Sequence, residues 1–192
     1  MTKVTANMSM SLDGFIEGPN INLKYPLGEG GGRLHEWMFL PKGNYQEVAE
    51  KMFKTVGAVV MGRQMFNTGE EPWGDEPPYH MPVFVLTHRP RSKVVKEGGT
   101  TFTFVTSGID SALNQAKAAA GDNDVMVAGG ANAVQQYLKA GVLDEIQIHL
   151  IPVLFGSGTR LFDHLDSKSL RLETISVIEA PGVTHLKYHI LK

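Results

Sequence analysis

Apolar and polar positions along the chain switch repeatedly between two periods. Val4 to Ser9 fits a first strand that runs into the turn-forming Ser11-Leu12-Asp13-Gly14. Ala58 to Met61 and Pro82 to Leu86 are short unbroken apolar runs, as expected of strands covered on both faces of a parallel sheet. Thr101 to Val105 and Asp124 to Ala128 continue the series. Between these runs the spacing turns helical. Val48, Met52, Phe53 and Val56 follow an Asn44–Glu47 capping box. Leu113, Ala116 and Ala120 share a face from about Asp110 to a stop at Gly121, and Val134, Tyr137 and Leu138 do so from an Asn132 cap to Gly141. Leu34 to Leu40 has the apolar density of a short helix. Period two then returns over Asp144 to Leu150, with His149 on the outward side, solvated or at an interface. It recurs over Leu170 to Val177 and over Thr184 to Ile190, where Leu186, Tyr188 and Ile190 share a face. Gly18 to Pro41 and Asn67 to Pro82 read as long loops, which in compact domains usually carry function.

Strands alternating with helices through residue 150 predict right-handed crossovers and a mostly parallel sheet, and the last two strands predict an antiparallel edge. A length of 192 residues fits one α/β domain spanning 1–192. The formal charge of −2, from 18 basic and 20 acidic residues, offers no field for nucleic acid or an acidic membrane. Without a cysteine, disulfides, thiolate zinc sites, iron–sulfur clusters and a thiol nucleophile are excluded. The most apolar stretch, Ile146 to Phe155, is interrupted by Gln147, His149 and Pro152, and the first residues lack the apolar core of a signal peptide. The expectation is a soluble, cytoplasmic protein.

The 21 glycines, about 11% of the chain, exceed the usual ~7%. Several sit where a strand ends. Gly62-Arg63 follows one apolar run, Thr87-His88-Arg89 follows another, and Gly129-Gly130 leads from a strand into a helix. In open α/β sheets ligands sit beyond the carboxyl ends of the strands, where glycines admit a pyrophosphate to backbone N–H groups and helix N-termini add positive charge. A lone Gly-Gly is often just a tight turn, and a lone arginine a solvated charge. Three such ends in one chain point to a nucleotide site. It is not the common dinucleotide fingerprint. Gly28-Glu29-Gly30 is followed by Arg33 where glycine is required, and Gly156-Ser157-Gly158 by Leu161. Thr87, His88 and Arg89 suit a ribose 2′-phosphate, which favours NADPH over NADH. Asp13 is a candidate proton donor or a plain turn residue. Trp37 and Phe39 either stack on a flat heterocycle or pack in the core, the core being the simpler place for Phe39. His185 and His189 lie four apart on one strand, but no acidic partner nearby completes a metal site.

Val4 to Ile16, Val60-Met61-Gly62-Arg63, Val83 to Arg89, Thr103 to Leu113 and Val125 to Leu138 resemble, in this order, the dihydrofolate reductase fold. Asp144-Glu145 and Pro152 to Gly158 are more similar to the reductase domain of the bifunctional riboflavin-biosynthesis deaminase-reductase. The resemblance implies a dihydrofolate reductase-like three-layer α/β sandwich, with a mostly parallel central sheet and an antiparallel C-terminal edge. It implies NADPH as cofactor, a small heterocyclic substrate, and homodimers paired through sheet edges. It places Gly62, Arg63, Thr87, His88, Arg89, Gly129 and Gly130 at the cofactor phosphates, Thr106 and Ser107 near the adenosine, and Asn132 and Ala133 beside the pyrophosphate. Ala6, Leu12, Asp13, Phe15 and Ile16 would face nicotinamide and substrate, with Trp37 nearby. Glu36 would answer to the carboxylate that dihydrofolate reductases carry on their first helix. One departure stands out: riboflavin reductases have a glutamate before the paired glycines, where this chain has Ala128. The deaminase half, which needs thiolate zinc ligands, has no counterpart. The expected function is an NADPH-dependent reductase, most like a 5-amino-6-(5-phosphoribosylamino)uracil reductase. Dihydrofolate reductase and another reductase on the same fold are alternatives, and a nucleotide-binding module without turnover is the alternative of a different class.

Overall fold

The computed structural model describes residues 2–22, 24–39, 48, 53–165 and 170–192. Nine strands form one sheet in the order β10 (Arg171–Ala180), β11 (Val183–Leu191), β8 (Glu145–Ile151), β1 (Val4–Ser11), β7 (Asp124–Gly129), β3 (Val56–Gly62), β4 (Pro82–Leu86), β6 (Thr101–Val105), β5 (Val94–Val95). Every pairing from β8 to β6 is parallel, while β10, β11 and the short β5 run antiparallel to their neighbours. A small ribbon pairs β2 (Phe15–Glu17) with β9 (Thr159–Arg160).

Alternate residues of the central strands feed two apolar layers. Ala58, Val60, Val125 and Val127 pack with Ala112, Leu113 and Ala116 of α2 (Ile109–Ala120) and Val134 and Tyr137 of α3 (Ala131–Lys139). Val59, Met61, Val83, Val85 and Met126 face the other way, onto Phe66 of α1 (Arg63–Gly69) and onto Tyr79 and Trp73. Burying one such side chain is worth roughly 1.5–3 kcal/mol, against about 1 kcal/mol for a ladder hydrogen bond. The two apolar faces therefore dictate how each strand is turned. The result is the three-layer sandwich with an antiparallel C-terminal edge that the sequence led us to expect.

Four local expectations are corrected. Val56 opens β3 instead of closing a helix. Of that helix, Val48 and Phe53 are helical, and the Asn44–Glu47 capping box and Met52 lie outside the described residues. Part of the segment read as loop from Asn67 is the end of α1. Gly130, not Asn132, is the N-cap of α3, and Asn132 sits inside the first turn, where its Oδ1 accepts from Gln136 Nε2 at 2.6 Å. His149 is not solvated. The segment inserted after β2 returns as a 3₁₀ helix (Gly31–Phe39) whose Leu34 and Trp37 cover this end of the sheet, leaving His149 1% exposed.

Candidate functional site

Parallel strands bring their carboxyl ends to one edge of the sheet, so β3, β4, β6 and β7 deliver Gly62, Leu86, Val105 and Gly129 side by side. A crevice of about 530 Å³ opens there, lined by Gly62, Arg63, Thr87, His88, Arg89, Thr106, Gly108, Gly130, Asn132 and Ala133 among others. The three strand ends singled out in the sequence thus converge on one cavity. The helices α2 and α3 start at its wall after Gly108 and Gly130, neither start being capped by a side chain. Their first amides have no acceptor within the helix and carry its positive end. A Cβ at Gly108 or Gly130 would have no neighbour within 4 Å, so the bare backbone is open to whatever enters. Arg63 is held by its Nε, which donates to Asn67 Oδ1 at 2.8 Å, and its guanidinium lies 5.0 Å from the Phe104 ring. Its Nη1 is buried without a partner. Thr87 closes a turn on Arg89, its Oγ1 accepting from the Arg89 amide at 3.1 Å.

A second cavity, about 480 Å³, adjoins the first, and Glu17 and Gly130 line both. Its walls are apolar: Met8, Ile16, Leu27, Met38, Met65, Trp73 and Met126. Asn7, Ser9, His35 and His149 supply polar atoms to it, and Ala128 a methyl group. Gly129, in the left-handed region at φ +126°, lines this second cavity, and a Cβ there would press on Met8 and Met65 at 3.3–3.4 Å. The Gly129–Gly130 peptide is cis. Burial, reinforced by the charge that His185 and His35 would carry, pushes the His149 imidazole far below its ordinary value, and burial lowers His35 as well.

Not every residue expected at the site is there. Ser107 lies outside the lining of both cavities, its hydroxyl donating to Ser111 Oγ at 2.8 Å. Ala6 is fully buried in the core, and Phe15 is buried beneath the Arg160 guanidinium, 4.3 Å from the ring centre. Asp13 is a clasp. Its carboxylate accepts from Ser11 Oγ (2.6 Å) and from the amides of Phe155 and Gly156 (3.1 and 2.7 Å), tying the strand-end turn to the loop after β8. The Ser11 hydroxyl first and these amides next hold it down to about 2, so near neutral pH it is a carboxylate with no proton to give. Glu36 is exposed and outside the cavity lining, to which the 3₁₀ helix contributes His35 and Met38 instead. Trp37 and Phe39 exchange expectations. Trp37 is 2% exposed, with its Nε1 donating to Ser9 Oγ at 3.2 Å, and Phe39 is 83% exposed. Asn7, Ser9, His35 and Glu17 were missed. Each is a single residue whose role depends on strand neighbours far away in the chain, and no local spacing marks it.

A family model described as the RibD C-terminal domain matches residues 2–186. The uncharacterized protein YwjB of Bacillus subtilis (strain 168) is 27% identical over 177 residues, covering 89% of each chain. Among solved structures, a putative riboflavin biosynthesis protein from Shewanella sp. PV-4 superposes with a TM-score of 0.75 at 26% identity, with both chains covered completely. Dihydrofolate reductase from Enterococcus faecalis, solved in complex with NADP(H), reaches a TM-score of 0.60 at 18% identity over 99% of this chain and 97% of its own. The last likeness concerns the fold alone.

Proposed function

Because the chain belongs to the RibD C-terminal domain family, we propose that it is an NADPH-dependent reductase of a flat heterocyclic substrate. The observation that carries this reading is the junction at Gly130: a crevice lined by cations and by two helix starts adjoins an apolar cavity, Glu17 and Gly130 lining both. The residues fit a dinucleotide. The amides that begin α2 and α3, with Arg63, Thr87, His88 and Arg89, would hold its phosphates, Arg63 through the buried Nη1 that now lacks an acceptor. Thr106, which lines the crevice, would meet the adenosine. When bound, the cofactor supplies a hydride, which asks the protein for orientation and exclusion of water. Ile16, Gly129 and Met8, which line the cavity, would do both. Within this class, reduction of 5-amino-6-(5-phosphoribosylamino)uracil is the first candidate on family membership. A dihydrofolate-type substrate is the second, favoured by the methyl group of Ala128 where riboflavin reductases present a carboxylate. Among the described residues no helix is long and apolar enough to cross a membrane.

Titrating the purified protein with NADPH and following nicotinamide fluorescence should give saturable binding. No binding at millimolar cofactor overturns the reading. Complementation of strains lacking each activity separates the two substrates, and tight cofactor binding without turnover of any substrate returns the binding module. A second copy of the chain is the proposed partner. The strand β10 ends the sheet with Leu172 and Val177 exposed, and sedimentation should give twice the chain mass.

A further inference from the structure

We infer that His149 is a specificity-determining residue of the apolar cavity, donating from Nε2 to the carbonyl of an uncharged, amide-like edge on the substrate, with His185 as the residue that positions it. This deepens the reading of the cavity as a reductase substrate site and rests on it.

Three adjacent strands place the group. Ser9 of β1 pairs with His149 of β8, and His149 with His185 of β11, so the three side chains stand in a row on one face of the sheet. Trp37 covers the row, its ring centre 4.6 Å from that of His149 and 4.9 Å from that of His185. The two imidazoles meet through their Nδ1 atoms at 2.7 Å. That contact fixes the His149 ring and leaves its Nε2 buried with no partner, in a residue that lines the cavity. The Nε2 of His185 is also unpartnered, but His185 is not part of the cavity lining.

Proton accounting, taken together with a ligand in the cavity, then distinguishes the two tautomers. One hydrogen lies between the two Nδ1 atoms, so in the neutral pair one ring carries Nδ1–H and the other Nε2–H. If His149 supplied the shared hydrogen, His185 would keep a buried Nε2–H that no ligand in the cavity could reach. Orphaned buried donors are rarer than orphaned acceptors. With His185 supplying it, the orphan on His185 is an acceptor, and the Nε2–H belongs to His149, the one of the pair that lines the cavity, where a ligand that enters could satisfy it. Leaving that group bare carries a desolvation penalty that a ligand carbonyl would recover. Asn7, on the same face of β1 two residues before Ser9, has a buried Oδ1 without a partner, and an Oδ1 calls for a donor. A carbonyl for His149 and an N–H for Asn7 together describe a lactam. The titratable groups facing His149, namely His185 and His35, are themselves held low by burial, so the recognition is between neutral groups.

The test uses the full chain and 2-pyridone as probe, with N-methyl-2-pyridone as the version lacking the donor. Long-range ¹H–¹⁵N spectra of the imidazoles should show His149 as the Nε2–H tautomer and His185 as the Nδ1–H tautomer. Addition of 2-pyridone should move the His149 Nε2 resonance, and N-methyl-2-pyridone should bind more weakly. The His149→Phe variant should weaken 2-pyridone about tenfold, while His149→Gln, which keeps an N–H near the Nε2 position, retains most of the affinity. His185→Phe should scramble the His149 tautomer, and His185→Asn should restore it. NADPH titration of the same samples reads the crevice separately, so its failure strikes the reductase reading alone. The inference is overturned if 2-pyridone does not bind, if it leaves the His149 Nε2 signal in place, or if His149→Phe binds it like the unsubstituted chain.

Discussion

The crevice and the apolar cavity share Gly130 and Glu17 yet are built on opposite principles. The crevice is made of backbone. Strand ends and helix starts meet there because a parallel sheet puts them on one edge, and glycine keeps them bare. On the proposed reading it would recognise charge, which is long-ranged and weakened by salt. The cavity is made of side chains from β1, β7, β8, the 3₁₀ helix and the segment around Trp73. Apart from the shared Glu17 its polar lining is uncharged, so on the proposed reading ionic strength should affect binding there less than in the crevice. One fold can thus keep the first region while the second changes its substrate.

The substitution expected to separate the regions most strongly is Trp37→Ala. It empties the space above His149 and His185 and removes the donor to Ser9. Deleting a buried tryptophan costs about 3–5 kcal/mol, a fall in Tm of roughly 10 °C for a chain of this length. Calorimetry measures that loss, and NADPH affinity below the transition should stay within about twofold. Arg63→Ala should do the reverse. Removing a charged donor from phosphate costs about 1.5–3 kcal/mol, or roughly ten- to hundredfold in Kd. The Tm should hardly move, and the salt dependence of NADPH binding should become shallower. If Arg63→Ala weakens 2-pyridone as much as NADPH, the two regions are not separable.

The same contrast decides what was legible in the sequence. The strands β3, β4 and β7 are covered on both faces, so they appear as unbroken apolar runs, and the glycines at their ends mark the crevice without any knowledge of what lies across the sheet. The cavity has no such signature. Trp37 and Phe39 are two apart, and a 3₁₀ helix with three residues per turn buries Leu34 and Trp37 together and leaves Phe39 in solvent. His149 looked solvated because strand alternation says which face a residue occupies, not what covers that face. The cover is Trp37, from a segment more than a hundred residues earlier. Glu36 and Asp13 were chosen as the acids near the expected pocket. Absence from the lining of either cavity removes the first and local hydrogen bonding reassigns the second.

Asp13 offers the smallest effect and a clean sign. A group held at about 2 when folded, below its ordinary 3.8, adds stability that is fully present above the unfolded value and is lost as pH falls through the folded one. Asp13→Asn keeps the shape but gives Ser11, Phe155 and Gly156 a neutral acceptor in place of a carboxylate. The variant should melt a few degrees lower near pH 7, and the gap should close as pH falls from about 4 toward 2, where the native carboxyl is itself protonated. Because the side chain clasps two loops and lines neither cavity, hydride transfer to substrate at pH 7 should proceed at close to the unsubstituted rate. Thermal melts across pH read the first expectation and stopped-flow NADPH oxidation the second. A variant with unchanged Tm and abolished turnover would make Asp13 the proton donor after all, and would require the turn to open so that its carboxylate reaches the cavity.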